Sequence, residues 1–546
     1  MKSNYAFYMA GRGHGFALLW WAQTAVLLVL TGIGSANEPV GVDPERFHTT
    51  GAPFPGDGGY FIEFPEDPPS AVERFVEVFP TALTWPNEPL GNFLAKILRQ
   101  DRYELHTELH TEPLGIQFVP DRPPLIIEWN ELFLGPGPLA EGIRTPTGAI
   151  WRPAFWAWGE FRTAIQYFDN GVGDPAAEFA NRLDLFGQIN LSGTERIVYG
   201  VRPFDKENAA GTGRRFLGAD FRDGGLPGGN GDTQTLFFEG DVGEIFPGLD
   251  PYDFKLLDYG FSVGRMPLLA QQGLLINEDR IDAVTLTRNT LNGRGNLNLR
   301  MTGVYAWDQV TRNSPIAGNP NRRDNNSSMV ALLTESDFFK RTVNFDVAYV
   351  EGDAVHGDVL AVGLSGIRRH YWYHNTYNTS LHLLASFPTN GVTPYADQGE
   401  LLFAQISWTP HHYYDLVYLN AFVAIDQFTS PARGPLMGSP LGQTGILFAA
   451  AGVGRSGAPL RSRTNDLAGA SLGYQWFFNE SRSQMIWEVG GAAETDRGTN
   501  RGVAGTGLRY QHAIGQHFIF VVDGSVAKRE TAELGVGGRV EMRVKF

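Results

Sequence analysis

The last thirteen residues decide the fold: residues 534–546 read Leu-Gly-Val-Gly-Gly-Arg-Val-Glu-Met-Arg-Val-Lys-Phe. From Leu534 to Phe546 every second residue is apolar or glycine, and from Arg539 onward each residue between them is charged. Neighbouring side chains of a β-strand point to opposite faces, so one face suits lipid and the other suits water. This dyad pattern is typical of a strand in a transmembrane β-barrel.

The same alternation recurs upstream along most of the chain. Counting such segments from about Phe155 predicts an all-β fold, a transmembrane antiparallel β-barrel of roughly 18 strands (16–20). The faces are least well separated in Ile281–Arg288. The segments with clear alternation are Leu183–Leu191, Leu297–Met301, Val343–Tyr349, Leu419–Ile425, Leu472–Phe478, Met485–Val489, Ala504–Tyr510 and Phe518–Val522. In one of them, Trp476 and Phe478 are predicted to face lipid and Gln475 the lumen.

The connections between these segments alternate in length. Short turns are predicted at Ser192–Glu195, Asn292–Gly295, Ser336–Lys340, Asn479–Ser483 and His512–Gln516. Longer polar or Gly/Pro-rich loops are predicted at Phe204–Asp232, Asp308–Asn326, Pro388–Gly399 and Gln427–Asp466. Barrels of the Gram-negative outer membrane have short periplasmic turns and long external loops, so both termini are expected in the periplasm.

Composition excludes several other classes of protein. The mean hydropathy of −0.19 does not suit a bundle of transmembrane helices. The 546 residues include no cysteine, which excludes disulfides, thiolate metal sites and cysteine nucleophiles. Asp and Glu number 59 against 44 Lys and Arg, so nucleic-acid binding is disfavoured.

The first residues have the pattern of a secretion signal. Lys2 and Arg12 precede the apolar run Phe16–Ile33, and small residues follow at Gly34–Ala36, so residues 1–36 are predicted to be a cleaved signal peptide. A signal anchor is the alternative, because the run is almost long enough to span a bilayer. Residues 37–145 are Pro-rich and lack sustained alternation, and they are predicted to form a small N-terminal periplasmic or plug segment. Residues 146–546 are predicted to form the barrel.

Motifs for metal or enzyme chemistry are weak. His106 and His110 alternate with glutamates in residues 104–112, and several such donors can hold a metal ion. The spacing is not the HExxH pattern of zinc proteases, and a polar strand face is the alternative. A nucleophile elbow of the form G-x-S-x-G before a helix is lacking. The sequence therefore predicts no enzyme and no cofactor.

The charged residues of the predicted strands fall on the face opposite the apolar one. Rings of a single charge would set an ion preference, but here the signs are mixed, and cross-strand ion pairs that stiffen the wall are the alternative. The glycines between Gly434 and Pro459 would let the loop Gln427–Asp466 fold inward and narrow the lumen. The predicted pore-lining residues are Arg162, Arg182, Asp184, Arg196, Arg202, Arg300, Asp346, Glu488, Arg509, Arg539, Glu541 and Arg543.

Two stretches resemble known families. The terminal strand resembles the C-terminal recognition strand of outer-membrane barrels, which implies that Phe546 is an assembly signal read by the outer-membrane assembly machinery. The stretch Leu257–Arg265, continuing to Gly273 and Asp279–Asp282, resembles porins of the alginate-export and carbohydrate-porin kind. That resemblance implies a barrel conducting sugars or polysaccharide. It departs from the family at Met266, and only Arg265 carries over.

The sequence thus predicts a channel for passive diffusion of small polar solutes through the Gram-negative outer membrane, in contact with its lipid. A dedicated pore for sugars or an anionic polysaccharide is the second hypothesis. A structural or assembly barrel whose N-terminal segment docks a partner is the third. Association into a homo-oligomer and a periplasmic partner are left open.

Overall fold

The structure is a computed structural model that describes residues 124–546, with gaps at 136–138, 173–174, 205–211, 218–230, 253–256, 294, 316–321, 325, 373–374, 411–413, 437, 451, 455, 461–462, 480 and 497–501. Among the described residues, no helix is both long and apolar enough to cross a membrane. The predicted signal peptide, most of segment 37–145 and both candidate metal ligands, His106 and His110, lie outside them.

The described chain forms one closed antiparallel barrel of 18 strands, as the alternation predicts. Each strand pairs with its neighbours in the chain, and the last pairs with the first. The strands are β1 (Ala154–Asp169), β2 (Ala176–Asn190), β3 (Arg196–Val201 and Thr212–Leu217), β4 (Thr233–Asp241), β5 (Tyr259–Ala270), β6 (Ile276–Gly293), β7 (Asn296–Asp308), β8 (Ser328–Phe338), β9 (Arg341–Glu351), β10 (Val359–Trp372), β11 (Asn375–Pro388), β12 (Gly399–Trp408), β13 (Leu416–Gln427), β14 (Asn465–Phe478), β15 (Ser483–Glu494), β16 (Val503–Ile514), β17 (Phe518–Arg529) and β18 (Leu534–Lys545).

The seam of the barrel lies between β18 and β1. In this pairing Val540 stands opposite Ile165 and Lys545 stands opposite Glu160. Phe546 continues the ladder, because its N–H donates to the carbonyl of Gly159 at 3.1 Å and its carbonyl accepts from the Gly159 N–H at 2.7 Å. A Cβ on Gly159 would stand 2.7 Å from the Phe546 ring, so this close approach requires glycine. The terminal residue is therefore part of the closure.

Exposure is reversed relative to a soluble protein. Val540 is 50% exposed and Ile165 is 63% exposed, whereas Arg539 and Glu541 on the other face of β18 are buried. The exposed apolar side chains, together with the residues of the same parity, face outward, and the alternate residues face inward. This arrangement is the lipid-facing belt and polar interior of a membrane barrel. Exposure of so many apolar side chains to water would raise the free energy of the folded protein.

The two ends of the barrel differ, and we call them the turn end, where β18 finishes, and the loop end. The predicted short turns all lie at the turn end and the predicted long loops at the loop end. Two connections break the rule. Residues 242–258 at the turn end hold a short helix α1 (Val242–Ile245) and a 3₁₀ turn at Pro247–Leu249, whereas residues 271–275 at the loop end are short.

Two predictions are corrected. The loop predicted over Phe204–Asp232 contains the second segment of β3, which pairs with residues 177–181 of β2 and so covers an edge that would otherwise be unpaired. Trp476 and Phe478 have outward parity but are buried, not exposed to lipid. The reason is stacking: the Trp476 ring lies 4.4 Å from Tyr474 and the Phe478 ring 6.3 Å from Tyr510.

Candidate functional site

The connection between β13 and β14, residues 428–464, turns into the barrel, and we call it the lumen loop. Its residues Phe428, Leu436, Leu441, Leu447 and Phe448 are fully buried and belong to one apolar cluster with inward residues of the wall. A single helical turn, α2 (Pro440–Gln443), starts at Ser439, whose hydroxyl accepts the Leu441 N–H at 3.3 Å. The inward fold predicted for this loop is therefore present.

On one side the lumen loop is attached to β6. Ala432 pairs in parallel with Ile276, and its carbonyl accepts the Asn277 N–H at 3.2 Å. The Arg433 guanidinium pairs with Asp279 at 2.5 Å and stands 3.4 Å from Glu278. This attachment joins the start of the loop to the loop end of the wall.

A second attachment is made by Glu488 on β15, whose side chain is fully buried. One oxygen, Oε2, accepts the N–H of Ile446 at 2.5 Å and the N–H of Leu447 at 3.0 Å. Nearby, the Gln475 amide on β14 donates to the Thr444 carbonyl at 2.9 Å. Hydrogen bonds to a charged acceptor are stronger than neutral ones, so Glu488 is the strongest contact here between wall and loop.

The third attachment joins the tip of the lumen loop to β1 and β2. The guanidinium of Arg182 donates to the Gly452 carbonyl at 2.8 Å and that of Arg162 to the same oxygen at 3.3 Å. The Gln166 amide donates to the Val453 carbonyl at 3.1 Å. Gly454 has φ +69°, and a Cβ there would stand 2.1 Å from the Gln166 amide nitrogen, so only glycine fits.

Below the tip, arginines and carboxylates form a continuous network along the inward faces of β16–β18 and β1–β3. Six guanidinium groups share three carboxylates, and each carboxylate contacts more than one arginine. The contacts are Arg182–Asp184 at 2.7 Å, Arg202–Asp184 at 2.8 Å, Arg162–Glu541 at 2.6 Å, Arg539–Glu541 at 2.6 Å, Arg543–Glu541 at 2.9 Å, Arg509–Asp523 at 2.8 Å and Arg539–Asp523. We call this set the arginine network.

A small cavity of about 60 Å³, partly open to solvent, lies between the lumen loop and this wall. Its loop side is formed by Ile446, Ala449 and residues 456–459, and its charged floor by Arg509, Asp523 and Arg539. Three residues of β1, Gln166, Tyr167 and Phe168, and the glycines and serine of β17 and β18 line the rest. Because small residues leave room and charged residues attract water, the cavity is suited to hold water.

All twelve predicted pore-lining residues occupy inward-facing positions of their strands, but they do not lie together in one cluster. Nine of them belong to the arginine network or, in the case of Glu488, to the loop attachment beside it. Arg196 pairs with Glu239 and Arg300 pairs with Glu335 at 2.7 Å, both near the turn end and more exposed. Asp346 is buried on the far wall, where it accepts from the Gln271 amide at 2.9 Å. Whether these residues line a conducting path remains a prediction.

The residue carried over by resemblance, Arg265, lies in a wall ion pair. Its guanidinium meets Asp282 on the neighbouring strand with two contacts, at 2.7 and 2.8 Å, and also donates to the Thr233 carbonyl at 2.9 Å. A bidentate pair of this kind fixes strand geometry. Its donors are used within the wall.

Sequence reasoning missed two polar clusters. His382 is fully buried on the inward face of β11. Its Nδ1 lies 3.0 Å from Gln271 Oε1, and its Nε2 lies 3.0 Å from Gln272 Oε1. At the loop end, His356 Nδ1 stands 2.8 Å from Asp353 and 3.3 Å from Asp324. The ligand atoms of these three side chains lie within 4.8 Å of one another. They are the one group of potential metal ligands found among the described residues. No local sequence pattern brings these groups together, because Gln271 and Gln272 are far from His382 in the chain and Asp324 lies in a different loop from Asp353 and His356.

Comparisons with known proteins bear on the fold. No protein-family model matches the sequence, and no curated protein matches it. A BenF-like porin from Pseudomonas fluorescens Pf-5 is similar in structure, with a TM-score of 0.50 over 72% of this chain and 98% of that chain at 9% identity. This chain shares the barrel fold of that porin. Pseudomonas aeruginosa OccK5 (OpdH) gives a TM-score of 0.49 at 10% identity, covering 72% of this chain and 98% of that one. At such identities the likeness concerns the fold alone.

Proposed function

We propose that the protein is a passive channel, not an enzyme, that admits small polar solutes across the Gram-negative outer membrane. The observation that carries this proposal is the open cavity between the lumen loop and the charged wall of β16–β18. A barrel of this strand number leaves room for an aqueous path, and its inward face is polar. Both termini would then lie on the periplasmic side, as in other bacterial barrels of this class.

The lumen loop acts as the constriction in this proposal. Its contacts with β6, β15 and the β1–β2 pair cross the barrel interior from three directions. Solutes would therefore pass through the cavity beside the loop, where the wall is built from small residues and arginines. Channel selectivity is set at the narrowest charged part of the path.

An anion preference deepens the proposal and favours the anionic form of the second hypothesis. Six guanidinium groups share three carboxylates in the arginine network. Two further carboxylates face inward within this arc, Glu160 near Arg543 and Glu178 beside Gln166. The six arginines still outnumber the five carboxylates of this arc, and an excess of positive charge attracts anions and repels cations.

Reversal potentials across planar bilayers with a KCl gradient test this preference. We expect the wild-type channel to favour chloride over potassium, and Arg182→Gln to reduce that ratio. Arg300→Gln is the matched control, because Arg300 lies near the turn end away from the network. The preference should weaken in about 1 M salt, where the Debye length falls to about 3 Å. A cation preference in the wild type would overturn the anionic assignment.

A further inference from the structure

The segment that precedes β1 carries an unusual density of exposed apolar side chains. Nine large hydrophobic residues between positions 126 and 151 are exposed, Trp129 at 60%. They are Ile126, Ile127, Trp129, Leu132, Leu134, Leu139, Ile143, Ile150 and Trp151. Exposed apolar patches of this size mark interaction surfaces.

The backbone of this segment is fixed to the turn end of the barrel. The strand Ile127–Trp129 pairs antiparallel with β1, so that Trp129 stands opposite Phe155 and Ile127 opposite Ala157. Phe155 and Ala157 have the outward parity of Ile165 on the same strand. Ile127 and Trp129 therefore continue the outward apolar face of the barrel.

This short strand occupies the place along β1 that β18 leaves vacant. Phe546 pairs with Gly159, and Ile127–Trp129 begins two residues further toward the turn end. A strand rise of about 3.3 Å and a tilt of about 40° give about 2.5 Å per residue along the barrel axis. Ile127 and Trp129 then lie about 5 and 10 Å beyond Phe546 on the same estimate.

On this estimate Ile127 lies within the headgroup layer of a bilayer, and Trp129 lies at the outer edge of that layer. The outward apolar face of β18 runs from Leu534 to Phe546, a span of about 30 Å by the same rise and tilt. The hydrocarbon core of a bilayer is about 30 Å thick, and each headgroup layer adds about 5–8 Å. Phe546 therefore marks the edge of the hydrocarbon core, and the apolar side chains beyond it reach the headgroups.

A neighbouring connection extends the same surface. The hairpin formed by Ile143–Arg144 and Ile150–Trp151 turns at Gly148, where a Cβ would stand 3.4 Å from Pro247 Cγ. Pro247 begins the 3₁₀ turn of the β4–β5 connection, in which Leu249 is 71% exposed. The two segments thus form one contiguous surface.

Hydrogen bonds and ring contacts hold the segment in place. The Trp156 indole N–H donates to the Glu131 carbonyl at 2.7 Å, and the Asn130 amide donates to the Pro153 carbonyl at 2.5 Å. Phe133 meets the Trp156 ring edge-on at 5.1 Å, and because Trp156 occupies an inward position of β1, residues 131–133 lie on the lumen side. The exposed side chains are therefore presented from a backbone that is tied to β1.

We propose that residues 126–129 together with residues 143–151 and 246–252, which we call the interfacial platform, bind the phospholipid headgroup layer of the leaflet at the turn end. Continuity with the lipid-facing belt and the depth of Ile127 favour lipid over a protein partner. Tryptophan and tyrosine are enriched at this level of membrane proteins, and the platform contains Trp129, Trp151 and Tyr252. The platform would hold the preceding part of the chain close to the membrane surface.

The chain lacks cysteine, so single-cysteine labelling tests this directly. The Trp129→Cys variant is labelled with an environment-sensitive fluorophore and reconstituted into phosphatidylcholine bilayers. The bilayers contain lipids that carry a quenching nitroxide either on the headgroup or deep in the acyl chain. Val540→Cys in the centre of the belt and Ser481→Cys in an exposed turn at the turn end are the matched controls. Heat-modifiable mobility on gels checks that each variant is folded, and Leu249→Cys repeats the test at a second platform position.

We expect the label at position 129 to emit at shorter wavelength than that at 481 and to be quenched most by headgroup nitroxide. The label at position 540 should be quenched most by the deep nitroxide. Iodide in the buffer should quench the fluorescence of the label at position 481 strongly and that of the label at position 129 weakly. Quenching of position 129 by iodide as strong as that of 481 would overturn the proposal. Protection of 129 from both lipid and aqueous quenchers would also overturn it, because protein would then cover the surface.

Discussion

Replacing Glu488 tests whether the lumen loop is held by the wall contact that the structure shows. Oε2 of this carboxylate accepts two backbone N–H groups, those of Ile446 and Leu447. Each hydrogen bond to a charged group contributes about 1.5–3 kcal/mol, so Glu488→Ala removes about 3–6 kcal/mol from the docked state of this part of the loop. That corresponds to a shift of about 10²–10⁴ in the ratio of docked to released loop.

Glu488→Gln should have a smaller effect than Glu488→Ala. The amide oxygen of glutamine can accept both N–H groups, but as a neutral acceptor it contributes only about 0.5–1.5 kcal/mol for each bond. Single-channel recordings should show higher conductance and more current noise in the order Ala, Gln, wild type. Glu335→Ala removes an exposed carboxylate near the turn end and is expected to leave the recordings unchanged.

A disulfide reports on the docked loop independently of current. Gly507 lies under the loop, where a Cβ would stand 2.9 Å from the Ile446 side chain, so the double variant Ile446→Cys/Gly507→Cys should cross-link readily. Adding Glu488→Ala should slow that cross-linking. If the folded Glu488→Ala protein keeps wild-type conductance, noise and cross-linking rate, the attachment of the loop through Glu488 is wrong.

Three further results are expected. Val540→Arg, in the middle of the lipid-facing belt, should destabilise the barrel by about 2–4 kcal/mol, whereas Phe518→Arg near the turn end should cost about 0–1 kcal/mol; equal costs in urea titrations would contradict the depth assignment. Deleting Phe546 removes its two hydrogen bonds to Gly159 and should lower the amount of heat-modifiable barrel in the outer membrane, with normal conductance for the barrels that do assemble; undiminished assembly would show that the residue is dispensable. Excising residues 434–459 should raise single-channel conductance and weaken ion selectivity; an unchanged current from a folded protein would rule out the lumen loop as the constriction.

The barrel could be predicted from the sequence because strand periodicity is local. In β18 the alternation of Val540 with Arg539 and Glu541 is a direct consequence of the lipid on one side and water on the other. The second segment of β3, Thr212–Leu217, was missed because the run Thr-Gly-Arg-Arg-Phe-Leu does not alternate. It is a strand because β2 supplies a partner, and partners are invisible to a local pattern.

The candidate site could be predicted only in part. Alternation places Arg162 and Arg182 on the inward face, but their shared acceptor is the Gly452 carbonyl, far away in the chain. Glycines between 434 and 459 indicate a loop able to fold inward, whereas the anchoring role of Glu488 depends on which strand the loop meets. Contacts of this kind are set by tertiary packing, which one sequence does not reveal.

The most direct test of the proposed channel is a planar-bilayer recording of the purified full-length protein, with its folded state shown by heat-modifiable mobility. We predict discrete, stepwise increases in current at constant voltage, with a conductance that rises with salt concentration because ions cross through water. A folded, heat-modifiable barrel that inserts into the bilayer but conducts no current would contradict the account.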